Sequence, residues 1–247
     1  MTGGGSGIGA AVVRMLAAGG GSVAILDLPA SGGSALAEEL RGAVSFHAAD
    51  VTVPEQVEAA LAEAVETMGG LDVLVNCAGI SPAHRVLGSD GALHPLDLFR
   101  RTVDVNLNGL FDVVRRAARE MAQNTPGRDG ERGLIVNIGS IAGLEGQVGQ
   151  AAYTASKAAV MALTIQLARD LARNGIRVMA IAPGMIDTPM LHALPRDYVD
   201  DLVGLHVFPK RIGLPDELAR LVRSFMEITL LNGEVVRLDA AARLPPS

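Results

Sequence analysis

Ser140, Tyr153 and Lys157 combine side chains that could move a proton on or off an alcohol. Tyr153 and Lys157 are four residues apart, so a helix would place both on one face. A free phenol has a pKa near ~10 and is a poor general base at neutral pH, but a neighbouring ammonium group favours the phenolate. A serine hydroxyl that faces the same point can bind the oxygen that gains or loses charge. The alternative is that these residues have no catalytic role. The spacing of Tyr153 and Lys157 also arises by chance, and a tyrosine on a buried helix face commonly packs in the core.

Residues 2–9, Thr-Gly-Gly-Gly-Ser-Gly-Ile-Gly, have the composition of a dinucleotide-binding turn. Glycines let the backbone turn tightly and approach a pyrophosphate, while the N-terminus of the following helix offers amide donors and a positive dipole end. Alone, such a stretch is weak evidence and could be a flexible start. Asp27 strengthens it, because it ends the next predicted strand about where an acidic residue meets the adenosine ribose hydroxyls. Leu28 and Pro29 follow and provide no cation for a 2′-phosphate, so we predict NAD rather than NADP.

The elements that must position these residues alternate along the chain. Short β-branched runs predict strands at 22–27, 44–50, 71–76, 134–138, 176–181 and 234–238. Ala- and Leu-rich amphipathic stretches predict helices near 7–18, 31–41, 54–68, 95–123, 150–173 and 215–227. This alternation is typical of the α/β class. It predicts a single doubly wound parallel sheet of the Rossmann type, with helices on both faces and one domain over residues 1–247.

Three segments between these elements are irregular. Residues 81–95 and 124–133 are polar and rich in turn-forming residues, so they predict loops. Residues 185–213 contain several prolines but also regularly placed apolar side chains, and they predict a short helical lid over a substrate.

Two helix ends have recognisable signals. Thr52-Val-Pro-Glu55 has the spacing of a capping box for the third helix, with proline in the first turn. Asn174-Gly175 should end the fifth helix.

The chain begins inside the glycine-rich motif, so no strand precedes residues 2–9 in the sequence. In a doubly wound sheet that strand is central, and its absence would leave neighbouring strands unpaired and a gap in the core. We therefore expect the native chain to carry roughly a dozen more residues upstream. An intact-mass measurement on native protein tests this expectation.

Composition narrows the class of protein. The 247 residues carry a net charge of −6, and 49% are hydrophobic but only 3% aromatic, which predicts an aliphatic core. The acidic balance argues against nucleic acid as a partner. No apolar run reaches the ~18 residues of a membrane helix, the start is not a signal peptide, and the single cysteine fits a reducing compartment, so we expect a cytoplasmic protein. The five histidines show no ligand spacing, which argues against a metal site.

Motifs in order along essentially the whole chain resemble the short-chain dehydrogenase/reductase family. Besides residues 2–9 they are Asp50-Val51, Asn76-Cys77-Ala78-Gly79, Asn106, Ser140 with Tyr153 and Lys157, and Pro183-Gly184-Met185-Ile186-Asp187-Thr188. The resemblance implies an NAD-dependent enzyme with Asn106, Ser140, Tyr153 and Lys157 as its catalytic residues.

The resemblance also implies a role for each residue. Tyr153 would take the proton of the substrate hydroxyl while hydride passes to the nicotinamide, Lys157 would bind the nicotinamide ribose and lower the pKa of Tyr153, and Ser140 would hold the substrate oxygen. Asn106 would hold a water of the proton relay. Gln147 would reach a substrate carbonyl, although it could equally be a plain loop residue. The residues implied to bind NAD are Gly3, Ser6, Gly7, Ile8, Gly9, Asp27, Asp50, Val51, Asn76, Cys77, Ala78, Gly79, Tyr153, Lys157, Pro183, Gly184, Ile186 and Thr188.

Within the family, the segments 26–33, 145–153, 208–213 and 231–239 are most similar to 3-hydroxyacyl-CoA dehydrogenases that are also described as hydroxysteroid dehydrogenases. One departure is Asp239-Ala240-Ala241, which stands where the family usually has Asp-Gly. The resemblance implies oxidation of 3-hydroxyacyl-CoA to 3-oxoacyl-CoA and a homotetramer. A 3-oxoacyl-carrier-protein reductase, a hydroxysteroid dehydrogenase and a cofactor-sensing scaffold protein remain as alternatives.

Overall fold

The computed structural model describes residues 1–245 as parallel strands that alternate with helices. The strands are β1 (Val23–Asp27), β2 (Val44–Ala48), β3 (Val73–Asn76), β4 (Gly133–Ile138), β5 (Ile176–Pro183) and β6 (Val235–Leu238). The helices are α1 (Gly7–Ala18), α2 (Gly33–Glu39), α3 (Pro54–Met68), α4 (Leu96–Val103), α5 (Leu110–Met121), α6 (Ala142–Glu145), α7 (Ala151–Leu171), α8 (Pro189–His192), α9 (Arg196–Gly204) and α10 (Pro215–Glu227). The predicted α/β, Rossmann-type architecture is confirmed.

Every strand pairs in parallel with its neighbours, in the orders β1–β2 and β3–β4–β5–β6. Residues 1–3 join the two groups. The Leu26 amide donates to the Met1 carbonyl oxygen at 2.8 Å, and the Thr2 amide donates to the Val75 carbonyl oxygen at 3.1 Å. The carboxyl ends of the strands therefore meet along one edge, which is where open α/β sheets hold ligands. The strand expected upstream of Met1 stays a prediction.

Aliphatic side chains pack on both faces of the sheet, as the composition predicts. On one face Val57 of α3, Val113 of α5 and Val160 of α7 are fully buried in one cluster. On the other, Val12 of α1 and Leu218 of α10 belong to a second cluster. Every residue of β4 and β5 is buried, as expected for strands covered on both sides. This packing fixes the two strands whose ends carry the candidate site.

The predicted helix over 95–123 is interrupted near its middle. Asp104–Gly109 forms a π-helical turn between α4 and α5. A Cβ on Gly109 would lie 2.6 Å from the Val51 carbonyl oxygen, so this turn can approach the loop after β2 only with glycine there. Single π turns inside helices are frequent at functional sites.

Of the two predicted helix ends, one is confirmed and one is wrong. Gly175 ends the turn after α7 in a left-handed conformation, with φ of 70°. Thr52 does not cap α3, because its hydroxyl donates to the Asp50 carboxylate at 2.7 Å and the N-cap residue is Val53. The short hydrogen bond back to Asp50 competes with capping, as it commonly does for threonine.

Residues 185–213 contain the helical structure predicted for them, in α8 and α9. Leu191 and Leu202 are buried in a third apolar cluster together with Ile141 and Ala242. This segment therefore packs against both the end of β4 and the C-terminal part of the chain. Within residues 1–245 no helix is long and apolar enough to cross a membrane.

Candidate active site

α7 and the end of β4 bring together the three residues of the predicted proton-transfer group. Tyr153 and Lys157 lie on one face of α7, and the Lys157 Nζ is 5.8 Å from the centre of the Tyr153 ring. Ser140 follows β4 at the carboxyl edge of the sheet, where its hydroxyl accepts from the Ala142 amide at 3.1 Å and acts on the pKa of Tyr153. The Lys157 Nζ donates to the Ile138 carbonyl oxygen at 2.7 Å, which fixes the ammonium group near the ring.

Burial governs the protonation of this group. Loss of water raises the pKa of Tyr153, and the hydrogen bond with Ser140 opposes that rise. Burial also lowers the pKa of Lys157 to about 8, while the Cys77 thiol nearby opposes that fall. In the protein alone, the pKa of Tyr153 is therefore raised. A positive charge brought close to the ring would lower it.

Asn106 lies in the π-helical turn and is fully buried. Its Oδ1 accepts from the Ile80 amide at 2.9 Å, and its Nδ2 donates to the Ile80 carbonyl at 2.9 Å and to the Ser156 hydroxyl at 3.1 Å. Ser156 in turn donates to the main-chain carbonyl of Tyr153 at 2.8 Å. The side chain of Asn106 therefore ties the π-helical turn to Ile80 and to α7, beside Tyr153.

The glycine-rich residues 2–9 form a tight turn at the carboxyl edge of the sheet. A Cβ on Gly9 would lie 2.0 Å from the Gly3 carbonyl oxygen, so only glycine allows this closure. Ser6 is exposed just before α1, and its side chain does not cap the helix. The turn thus leaves the start of α1 open to an anion, as a pyrophosphate requires.

Asp27 lies beside this turn at the end of β1. One carboxylate oxygen accepts from the Gly5 amide at 2.9 Å and the other from the Leu28 amide at 2.8 Å. A Cβ on Gly5 would lie 2.9 Å from the Asp27 carboxylate, which explains how closely the two segments approach. The half-buried carboxylate keeps accepting capacity for the hydroxyls of a ribose.

The segments after β2 and β3 carry further residues predicted to bind NAD. Asp50 and Val51 follow β2, and both are half-buried. Asn76 ends β3, where it accepts from the Thr2 hydroxyl at 3.2 Å and donates to Asn137 at 2.9 Å. This chain of buried side chains crosses from residues 1–3 through β3 to β4, and it supports the sheet edge.

Cys77, Ala78 and Gly79 continue from β3 toward the catalytic group. A Cβ on Gly3 would lie 2.6 Å from the Ala78 amide nitrogen, so this segment packs directly on the glycine-rich turn. A Cβ on Gly79 would lie 3.5 Å from the Lys157 Nζ. Burial raises the pKa of the Cys77 thiol to about 12, which fits a pocket wall better than a nucleophile.

Pro183, Gly184, Ile186 and Thr188 lie at the end of β5 and in the loop that leads into α8. Ile186 is buried, and Thr188 is the N-cap residue of α8. A Cβ on Gly7 would lie 3.1 Å from the Thr188 methyl carbon. The glycine-rich turn and the segment after β5, both predicted to bind NAD, are therefore adjacent.

Comparison with known proteins assigns the family. The model of the short chain dehydrogenase family matches residues 1–199. The chain belongs to this family. It is an oxidoreductase, and the glycine-rich turn and the predicted proton-transfer group lie within the matched residues.

The relatives of this dehydrogenase match it over nearly their whole length. The human protein named 3-hydroxyacyl-CoA dehydrogenase type-2 is 49% identical over 100% of this chain and 95% of its own. The crystal structure of 3-hydroxyacyl-CoA dehydrogenase type-2 from Mycobacterium avium is 42% identical, has a TM-score of 0.94, and covers 100% of this chain and 95% of its own. A 3-ketoacyl-(acyl-carrier-protein) reductase from Brucella melitensis, solved with NADH, is 29% identical, with a TM-score of 0.84 and coverage of 97% and 95%.

Gln147 lies in the loop between α6 and α7 of the dehydrogenase and is bonded to a residue that the sequence did not single out. Its Nε2 donates to the Tyr198 hydroxyl at 2.7 Å. Tyr198 lies on α9, so the contact crosses from the catalytic loop to the predicted lid. No local sequence pattern indicates a contact over this separation.

Three other residues hold site residues in place and were not predicted to do so. Ile80 and Ser156 hold Asn106, and Thr2 holds Asn76. Thr2 could have been found from the glycine-rich motif, of which it is the first residue. Among residues 1–245, no group of three His, Cys, Asp or Glu side chains could hold a metal ion.

Proposed function

We propose that this dehydrogenase oxidises 3-hydroxyacyl-CoA to 3-oxoacyl-CoA with NAD as the electron acceptor. The observation that carries the substrate class is the match, over the whole chain, to relatives named 3-hydroxyacyl-CoA dehydrogenase type-2. Ser140 and Tyr153, with Lys157 beside the Tyr153 ring, supply the chemistry that an alcohol oxidation needs.

The residues at the carboxyl edge of the sheet fit a dinucleotide. The closed turn at Gly3 and Gly9 would let a pyrophosphate approach the start of α1. Asp27 would accept hydrogen bonds from the adenosine ribose, and its negative charge disfavours a 2′-phosphate there, which supports NAD over NADP. When bound between these residues, NAD would supply the acceptor for the hydride of the carbinol carbon.

The protein's own residues handle the proton and the orientation of the substrate. Tyr153 would take the hydroxyl proton, and Ser140 would hold the same oxygen. Lys157 would bind the nicotinamide ribose and keep a positive charge beside the phenolate. Gln147 would donate to the acyl carbonyl of the substrate, and residues 185–213 would cover it as a lid.

Two enzyme alternatives use the same catalytic group. A 3-oxoacyl-carrier-protein reductase is favoured by the likeness to the Brucella reductase, but that likeness is at 29% identity against 49% for the human relative. A hydroxysteroid dehydrogenase would accept a rigid alcohol in the same cleft. A cofactor-sensing scaffold protein would need no turnover, and the complete set of Asn106, Ser140, Tyr153 and Lys157 argues against it as the only role.

The proposal also covers how the protein assembles and where in the cell it is located. We expect a single catalytic domain that assembles as a cytoplasmic homotetramer. Exposed apolar side chains on α5 and α7, Phe111 and Ile165, support subunit packing through these helices. Light scattering coupled to size-exclusion chromatography measures the assembly directly.

Spectrophotometric detection of NADH tests the proposed reaction. Purified protein with NAD should reduce the cofactor when a short 3-hydroxyacyl-CoA is added, and the reverse reaction should consume NADH with a 3-oxoacyl-CoA. Turnover of steroid alcohols without turnover of acyl-CoA would replace this proposal with the steroid alternative. Activity only on carrier-protein thioesters with NADPH would replace it with the reductase alternative.

A further inference from the structure

The hydrogen bond between Gln147 and Tyr198 joins the loop that carries the catalytic group to the lid helix α9. It is short, at 2.7 Å, and Gln147 is the donor. Tyr198 accepts, so its own hydroxyl proton stays available. Among residues 1–245, the Gln147 amide makes no other hydrogen bond, and its second N–H and its Oε1 remain available to a ligand.

The loop around Gln147 is anchored on both sides. Glu145, two residues before it, pairs with Arg237 at 2.7 Å and accepts from the Leu244 amide at 2.7 Å. Gly149, two residues after it, accepts from the His84 amide at 2.7 Å. The loop is thus fixed to the C-terminal part of the chain and to the loop 81–95.

α9 is held less firmly than this loop. Leu202 is buried in the third apolar cluster, and Val199 is only partly buried there. The first turn of α9 is otherwise exposed: Arg196, Asp197 and Tyr198 all face water for a large part of their surface. Tyr198 is 41% exposed and makes its polar contact with Gln147 from this turn. Of the two partners, α9 is therefore the one that can move.

We propose that Tyr198 is a positioning residue that aims the free N–H of Gln147 at the acyl carbonyl of the substrate when α9 is closed. This inference rests on the proposed function and adds to it the residue that couples lid closure to recognition of a carbonyl. The bond to Tyr198 restrains the rotation of the Gln147 carboxamide, and its second N–H remains a donor for a ligand. Substrates that bear a carbonyl beside the reacting alcohol gain from this arrangement, and plain secondary alcohols do not.

Kinetics of Tyr198→Phe test the proposal, because the substitution removes the acceptor and keeps the ring. We expect the KM for a short 3-hydroxyacyl-CoA to rise about three- to tenfold, because one hydrogen bond is lost. The kcat should stay within about twofold of the wild-type value. The same variant should oxidise a steroid alcohol that lacks the neighbouring carbonyl at the wild-type rate, if the wild-type protein oxidises it at all. Asp200→Asn, an exposed change on the same helix, is the matched control and should alter neither substrate.

A double-mutant cycle separates positioning from a structural effect. Gln147→Ala and Gln147→Ala/Tyr198→Phe should show the same KM for the acyl-CoA, because Tyr198 acts only through Gln147. Additive effects, equal losses on both substrates, or an unchanged KM in Tyr198→Phe would each overturn the proposal.

Hydrogen exchange of α9 amides gives a readout that does not depend on turnover. Tyr198→Phe and Gln147→Ala should each speed exchange in the first turn of α9 relative to wild type and Asp200→Asn, since both remove the same bond. Equal exchange in all four proteins would contradict the coupling to the lid. If the wild-type protein turns over no acyl-CoA, the proposed function is wrong, and so is the role of Tyr198 in binding a substrate carbonyl. The exchange measurement then still tests whether the bond between Gln147 and Tyr198 holds α9.

Discussion

Tyr153 depends on its neighbours to act as a base near neutral pH. Burial raises its pKa, and the hydrogen bond with Ser140 opposes that rise. Tyr153→Phe removes the only phenol at this point, so kcat should fall about 10²- to 10⁴-fold. NADH binding, measured by fluorescence titration, should stay within about twofold of wild type. Tyr198→Phe is the matched control, since it removes the only other tyrosine hydroxyl, and it should retain kcat. Retained turnover in Tyr153→Phe would refute the assignment.

Asp27 is the residue on which the choice of cofactor depends. Its carboxylate is oriented by the amides of Gly5 and Leu28. Wild-type protein should prefer NAD, and Asp27→Ala should raise the ratio of kcat/KM with NADP to that with NAD by at least about tenfold, because the charge that repels a 2′-phosphate is gone. Equal efficiency of the wild type with both cofactors, or an unchanged ratio in the variant, would contradict the prediction.

The catalytic group could be predicted at residue scale because Ser140, Tyr153 and Lys157 lie close in sequence. Their spacing on one helix and one strand end fixes most of their geometry. Supports from distant parts of the chain could not be predicted in this way. Ile80 holds Asn106 and Tyr198 holds Gln147 only because the sheet and the lid bring separate elements together.

At the scale of elements, Glu217 links the segment 185–213 to α10. It accepts from both terminal nitrogens of Arg211, at 2.7 and 2.8 Å, and from the Leu214 amide at 2.8 Å, and these partners lower its pKa to about 2. A lowered carboxyl pKa stabilises the folded state above its ordinary value near 4.5, and the contribution is lost as the pH falls toward 2. Glu217→Gln should therefore lower the Tm by about 1–3 °C at pH 7.

The pH profile of the same variant tests the sign. The difference in Tm between wild type and Glu217→Gln should shrink below about pH 4.5 and approach zero near pH 2, as far as the fold persists. Glu227→Gln, which removes an exposed ion pair with Arg223 on the same helix, should change the Tm little at any pH. A difference that grows as the pH falls would contradict the assignment.

Ala240 has a strained backbone conformation at a position where the sequence departs from the family. It stands where the family usually has glycine, and its φ of 51° is left-handed, a conformation that alanine adopts only at a cost of about 1–2 kcal/mol. Its carbonyl oxygen accepts from the Val207 amide at 3.0 Å, which holds the end of the segment 185–213. Ala240→Gly should therefore raise the free energy of unfolding by about 0.5–1 kcal/mol.

Ala62→Gly is the matched control for this change. Ala62 is exposed within α3, where glycine should destabilise by about 1 kcal/mol. Chemical denaturation should therefore give changes of opposite sign for the two variants. Destabilisation by both would contradict the interpretation of Ala240.

Most elements could be predicted because their periodicity is strong. The bounds of α1, α3 and α10 agree with the predicted 7–18, 54–68 and 215–227. Two local features could not be predicted. The π turn at Asp104–Gly109 leaves the apolar pattern almost unchanged. The Thr52 hydroxyl bonds to Asp50 instead of capping α3, and only the folded loop defines that bond.

At the scale of the whole molecule, the order of strands and helices determines where the chemistry occurs. All strands are parallel, so the ends of β1, β3, β4 and β5 meet at one edge and bring the glycine-rich turn, Asn76, Ser140 and Thr188 together. The alternation of elements was enough to predict this edge. The substrate could not be read from the fold, because many reactions share it.

The central claim is that this edge oxidises a 3-hydroxyacyl thioester with NAD. The most direct test follows NADH formation by purified protein with NAD and, in parallel, a short 3-hydroxyacyl-CoA, a steroid alcohol and no substrate. We expect rapid NADH formation with the acyl-CoA and no NADH formation by Tyr153→Phe. NADH formation with the steroid alone, or none with either substrate, would contradict it.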